Sequence, residues 1–251
     1  MDATMSIEQA YAEAVAPVRS DLAEAHASVW DRLGLPGTWW TGAERMAIAR
    51  TVRAALQDSE PLPPWVEPSS EPGRLAPEPV LPAAAQDAIY RLARHAGTLS
   101  EDWYRKVLDG AAMTPEQWVE TIEVTITVVS VDTFARLIGA PAPELPDERG
   151  GEPTRVQSPA RPARHHWVPV IHLEDAVGDF EVYGSDPQMV PPVLRALSSV
   201  PAALGTLAEL GSAQYIPSDE MVDLDWTRGT LDRRQIELVA SRLSALRECF
   251  Y

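Results

Sequence analysis

Proline decides where this chain can be helical. Its 251 residues include 23 prolines, and they gather in two stretches. Residues 58–82, "DSEPLPPWVEPSSEPGRLAPEPVLP", hold eight of them. Residues 140–164, "APAPELPDERGGEPTRVQSPARPAR", form the second stretch. Proline lacks the amide hydrogen a helix needs and clashes with the preceding turn. Both stretches are therefore expected to be extended straps or linkers.

The rest of the chain reads as helix. Residues 6–33 are expected to be helical with an interruption at Pro17, and Ser6 with Gln9 makes a capping box. Residues 41–57 open on Thr41 and Glu44, another capping box, and Met46, Ile48, Ala49, Val52 and Leu56 supply an apolar face. Residues 83–95 and 99–109 follow. Thr114, Pro115 and Gln117 start a long helix over 114–139. Its middle, "VTITVVSV", is β-branched and favours strand by propensity. The cap, the charges at Glu120, Glu123 and Asp132 and the stop at Gly139 favour a buried helix. Residues 188–210 read as two helical pieces broken at Pro201, and a last helix starts near Asp232. No length of chain alternates with period two, so the fold class expected is all-α.

The net charge is −16 and the isoelectric point about 4.7. An acidic surface repels phosphate backbones, so no nucleic acid is expected as a partner, and anionic membranes are disfavoured for the same reason. No run approaches the roughly 18 apolar residues of a membrane span. The N-terminus has no basic region or apolar block of a signal peptide. A single cysteine excludes an internal disulfide framework and fits a reducing, cytoplasmic setting.

Sliding the sequence by 191 residues superposes two capped helices. Thr41 falls on Asp232, Glu44 on Gln235, Ile48 on Val239, Ala49 on Ala240 and Val52 on Leu243. Met46 falls on Glu237 and Asp58 on the cysteine, Cys249. The copies share helix architecture but not chemistry. Any two amphipathic helices match in part, so the offset alone leaves the repeat open.

Glu237 and Cys249 are the pair that carries candidate chemistry. Their twelve-residue separation spans roughly 18 Å of rise and about 120° of rotation on one straight helix. They meet only if the helix ends between them or a water or another side chain links them. A thiolate is the nucleophile, and a carboxylate alone raises a thiol's pKa, so it serves as proton acceptor only. A solvated helix face for Glu237 and a small apolar role for Cys249 are the plainer readings.

The segment "RQIELVASRLSALRECFY" resembles the approach to the active site in the AhpD-like alkylhydroperoxidase / carboxymuconolactone decarboxylase superfamily. Redox members carry a Glu, then twelve positions later the first cysteine of a Cys-x-x-Cys pair, then a histidine four residues beyond the second cysteine. Glu237 and Cys249 match the first two positions, and Phe250 and Tyr251 the intervening ones. The second cysteine would follow Tyr251 directly. The resemblance implies a tandem AhpD-like protein: a degenerate, cysteine-free first repeat over 1–146, a Pro-rich linker over 147–164, and a second repeat over 165–251 ending inside the redox motif. Thr41–Gln57, the 114–139 helix and "VLRALSSVPAAL" resemble other family helices. The position of the first cysteine in the first repeat is Asp58, and that of the second is Pro61.

What the resemblance implies about activity is thiol-dependent reduction of hydroperoxides. Cys249 would be the resolving thiol and Glu237 the proton relay, with a hydroperoxide substrate, a thiol reductant, no cofactor and no bound metal. Assembly into a homo-oligomer is implied as well. Without the attacking thiol, this chain is expected to be inactive or incomplete as it stands. A non-catalytic helical oligomerisation or interaction module and a decarboxylase-like enzyme of the same superfamily are the alternatives.

Other residues invite attention. His165, His166 and His172 raise a metal site, but adjacent histidines cannot easily face one ion and no carboxylate lies at helical spacing, so no metal is expected. Glu120 and Glu123, three apart on an apolar helix, are placed to share a pocket, in which one carboxyl would have a raised pKa. Caps and exposed faces are their plainer reading. Trp39 and Trp40 are expected in the core or an interface.

Overall fold

The computed structural model describes residues 5–59, 75–110, 112–184, 188 and 190–246. Chain order is α1 (Ile7–Ala12), α2 (Ser20–Leu33), α3 (Gly42–Gln57), α4 (Ala83–His95), α5 (Glu101–Asp109), α6 (Pro115–Leu137), α7 (Pro192–Arg195), α8 (Pro201–Gln214) and α9 (Arg233–Leu246). Among the described residues there is no strand, only isolated bridges at Arg161–Val170 and Arg228–Leu231. The all-α expectation stands. No helix among them is long and apolar enough to cross a membrane.

The predicted caps form as hydrogen bonds. Ser6 with Gln9, Thr41 with Glu44 and Thr114 with Gln117 all close reciprocal capping boxes, each satisfying two otherwise orphaned amide hydrogens. Pro17 separates α1 from α2 as expected. Two helical pieces do meet at Pro201: α7 precedes it, and it opens α8 in the first turn, where its missing amide hydrogen costs nothing.

The β-branched run stays helical for two reasons. Val119, Val124, Val128 and Val131 are fully buried, so α6 is a central helix packed on several sides. Its threonines also find partners inside the helix. The hydroxyls of Thr121, Thr125 and Thr127 donate to the carbonyls of Gln117, Thr121 and Glu123 at 2.8, 2.8 and 2.9 Å. Around α6 stand α3, α4, α8 and α2, and α3 also packs on α4. One hydrophobic core runs from Ile7 to Leu204.

The second Pro-rich stretch lies along this body as a strap. The Arg149 amide donates to the Gly34 carbonyl at 2.8 Å, Thr154 to Gly37 at 3.1 Å and Arg155 to Thr38 at 2.9 Å. Glycine makes the approach possible. A Cβ on Gly34 would sit 2.2 Å from the Asp147 carbonyl oxygen, and one on Gly42 2.5 Å from that of Arg149. Both obstacles are backbone, which cannot swing aside. Gly34→Ala is therefore expected to cost about 3 kcal/mol, in the range of overpacked cores. Urea unfolding measures it, and limited proteolysis of the variant should cut first in the strap, near residue 147.

Candidate functional site

Two places bring chemistry together. The first is the seat of Glu237. Helix α9 opens on a capping box: the Gln235 amide donates to Asp232 Oδ1 at 3.0 Å, and the Asp232 amide to Gln235 Oε1 at 2.9 Å. This is the arrangement of Thr41 and Glu44 on α3, 191 positions earlier. Glu237 lies one turn beyond the cap. Its Oε2 accepts from the Tyr215 hydroxyl at 2.5 Å and its Oε1 from Arg233 Nε at 2.8 Å.

Arg233 is itself anchored. Its guanidinium donates to the carbonyls of Asp223 and Met221, both at 3.0 Å. The hydrogen bond from Tyr215, with Arg233 adding its charge, holds the Glu237 carboxyl below the usual range. Burial and that same bond push the Tyr215 phenol up to about 12. At neutral pH the pair is a phenol donating to a carboxylate. The Glu237 side chain keeps 42% of its exposure, so it is a fixed, anionic, solvent-reachable acceptor. Cys249, its predicted partner, lies outside the described residues.

The other face of α9 is apolar and open. Leu238, Val239, Leu243 and Leu246 are 71, 66, 57 and 62% exposed. Their counterparts on α3, Ala47, Ile48, Val52 and Ala55, are all fully buried, on a helix packed against α4 and α6.

The second place is a buried ion cluster. Glu120 and Glu123 do meet, across a residue that the sequence pattern did not single out. Arg45 Nη1 donates to Glu120 Oε1 at 2.7 Å and Glu123 Oε2 at 3.0 Å, and Nη2 to Glu123 Oε1 at 3.3 Å. The Trp39 amide donates to Glu120 Oε2 at 2.6 Å, and the Thr206 hydroxyl to Glu123 Oε1 at 3.0 Å. All the charged side chains are 7% exposed or less. Burial opposes the Arg45 charge, but the carboxylates of Glu123 and Glu120 outweigh it and hold the guanidinium protonated. Burial raises the pKa of Glu120, against the pull of Arg45. A signal for Arg45 was present: it occupies the apolar register with Ile48, Ala49 and Val52, three, four and seven positions on.

Beside this cluster opens a cavity of about 680 Å³ whose lining includes Arg45, Glu123 and Thr206, while Glu120 stands behind them. Asp132 belongs elsewhere. It pairs with Arg53 through two bonds of 2.7 and 2.6 Å. Trp40 is in the core, its indole nitrogen donating to the Gln117 carbonyl at 3.0 Å, and Trp39 is half-buried. His172 contacts the Pro162 carbonyl at 3.3 Å. Among the described residues no three His, Cys, Asp or Glu side chains group as metal ligands.

Compared with protein-family models, with curated proteins and with solved structures, the chain matches none.

Proposed function

We propose that α9 is the proton-handling half of an AhpD-like thiol peroxidase site, in the second of two related repeats, with Glu237 as proton acceptor and Cys249 as resolving thiol. One observation carries the reading: Glu237 is fixed, anionic and reachable by solvent on a capped helix, and Cys249 follows it twelve positions on in the sequence. The family pattern puts the attacking thiol directly after Tyr251, so the proposal concerns the chain continued through that position. There the thiolate attacks the terminal oxygen of a hydroperoxide, and the O–O bond breaks. The products are a sulfenic acid and, after protonation, an alcohol. Cys249 then attacks the sulfenic sulfur, a disulfide forms and water leaves. A dithiol reductant returns both thiols.

Removing a positioned acid–base group costs about 10²-fold or more in rate. Glu237→Gln in the continued chain is therefore expected to lower peroxide turnover about 100-fold. Tyr215→Phe removes the first cause of the depressed Glu237 pKa, so the acidic limb of the pH–rate profile should move to higher pH. A limb that stays in place in Tyr215→Phe would remove Glu237 from the reaction.

A second reading, a helical oligomerisation module, is favoured by the open face of α9. Four aliphatic residues on one helix are rarely left bare on a monomer. Light scattering should give a homo-oligomer, and Leu238→Glu with Leu243→Glu should dissociate it while the helical circular dichroism is kept.

A further inference from the structure

The cavity beside Arg45 has no part in the thiol chemistry. Its volume, about 680 Å³, lies within the range of small-molecule sites. It is bounded by α2, α3, α6 and α8 on one side and by the strap and the turn at Gly178–Phe180 on the other. Leu35, Val156, Phe180 and Pro201 make its sides apolar. A Cβ on Gly205, in α8, would meet nothing within 4 Å, so the space reaches the helix backbone itself.

The polar groups define what would fit. Glu120 and Glu123 share the one Arg45 guanidinium in a water-poor place. Toward the exterior, Arg32 is already paired with Glu209 at 2.6 Å, and Asp179 adds another carboxylate to the lining. Two guanidiniums and three carboxylates, Glu123, Glu209 and Asp179, thus line the cavity, with Glu120 behind Arg45. An anion is repelled and finds no guanidinium free of a carboxylate. A neutral molecule fits the walls but brings no charge to the buried end, where Glu120 and Glu123 share one guanidinium. Glu123 receives three hydrogen bonds on two oxygens, and a carboxylate offers about four acceptor positions. One acceptor position remains on a residue that lines the cavity.

We propose that this cavity binds a small organic cation, an amine on an apolar body, with the ammonium group on Glu123 and the body against Phe180 and Leu35. Binding rests on shape and charge balance together, so the test separates them. The probes are 2-phenylethylamine, 2-phenylethanol and phenylacetate, which share a ring and differ in the head group. Calorimetry on the full chain should show the amine binding at least about tenfold more tightly than the alcohol, a modest value for a charge-assisted bond, and phenylacetate not binding.

Gly205→Leu places a side chain in the space, its Cβ meeting no atom within 4 Å, and should abolish binding while leaving the melting temperature unchanged or higher. Glu123→Gln should bring the amine down to the level of the alcohol. Three results would overturn the proposal: no binding of the amine, binding of phenylacetate as tight as that of the amine, or amine binding that survives Gly205→Leu in a folded protein.

Discussion

Arg45→Met is expected to cost about 3–5 kcal/mol, the usual result of leaving a buried charge without its partner. Arg45 is the only guanidinium bonded to Glu120 and Glu123 among the described residues, and all three side chains are nearly or wholly buried. Methionine keeps the aliphatic stem and removes the charge. The two carboxylates would then face each other in the interior with only Trp39 and Thr206 as donors. Since a domain of this kind has a total stability of about 5–15 kcal/mol, the variant should be near unfolding at neutral pH.

Acid should rescue it in part. Burial already raises the Glu120 carboxyl, and the variant removes the Arg45 charge that pulls it down. The protonated Glu120 would be tolerated in acid, and stability would be lost as the pH rises. A triple variant, Arg45→Met with Glu120→Gln and Glu123→Gln, should regain most of the loss at neutral pH, because no buried charge remains. Urea midpoints for the three proteins at two pH values are the measurement. A single variant that loses less than about 1 kcal/mol, the worth of an exposed pair, would contradict the geometry.

His26 should make the fold sensitive to mild acid. It is fully buried between Tyr11, Gln214 and Phe134. Gln214 Nε2 lies 2.8 Å from His26 Nε2, and Tyr11 Oη lies 2.5 Å from Nδ1. A neutral imidazole has one acceptor and one donor, and with Gln214 donating, Nδ1 carries the hydrogen. Burial pushes the imidazole pKa down from its ordinary 6.5 to about 4. The sign follows directly. Below pH 6.5 the unfolded chain takes up a proton that the folded one refuses, so stability falls as pH falls. The contribution is complete above about pH 6.5 and is lost by about pH 4, in total about 3 kcal/mol. Denaturant midpoints between pH 8 and pH 4.5 should fall accordingly. His26→Leu, weaker at pH 8 for want of the two hydrogen bonds, should lose that slope, whereas an unchanged slope would assign it to other groups.

Much of the fold was legible because its signals are local. Capping boxes, prolines and apolar registers act within a few residues, and α3, α4, α6 and α9 begin where those signals put them. The strap was less legible. Its docking depends on Gly34 and Gly42 admitting backbone from Asp147 and Arg149, a relation between segments more than 100 residues apart that no local pattern encodes. The candidate sites divide the same way. Glu120 and Glu123 were visible as neighbours on one helix, but their common partner is 75 and 78 residues away. The Glu237 seat was legible as a position in a motif, while its Tyr215 hydrogen bond comes from the end of a different helix. Neither the cavity nor its charge excess can be read before α2, α3, α6 and α8 are packed.

Peroxide consumption, measured with a dithiol reductant on the chain continued through the next cysteine and histidine, tests the thiol-peroxidase reading most directly. That reading predicts steady turnover, about 100-fold slower in Glu237→Gln. In Cys249→Ser it predicts that peroxide leaves a sulfenic acid and no internal disulfide, so that, before reductant is added, a single equivalent is consumed and the sulfenic acid can be trapped. A continued chain that folds and consumes no hydroperoxide, or whose turnover is unchanged by both substitutions, would contradict it.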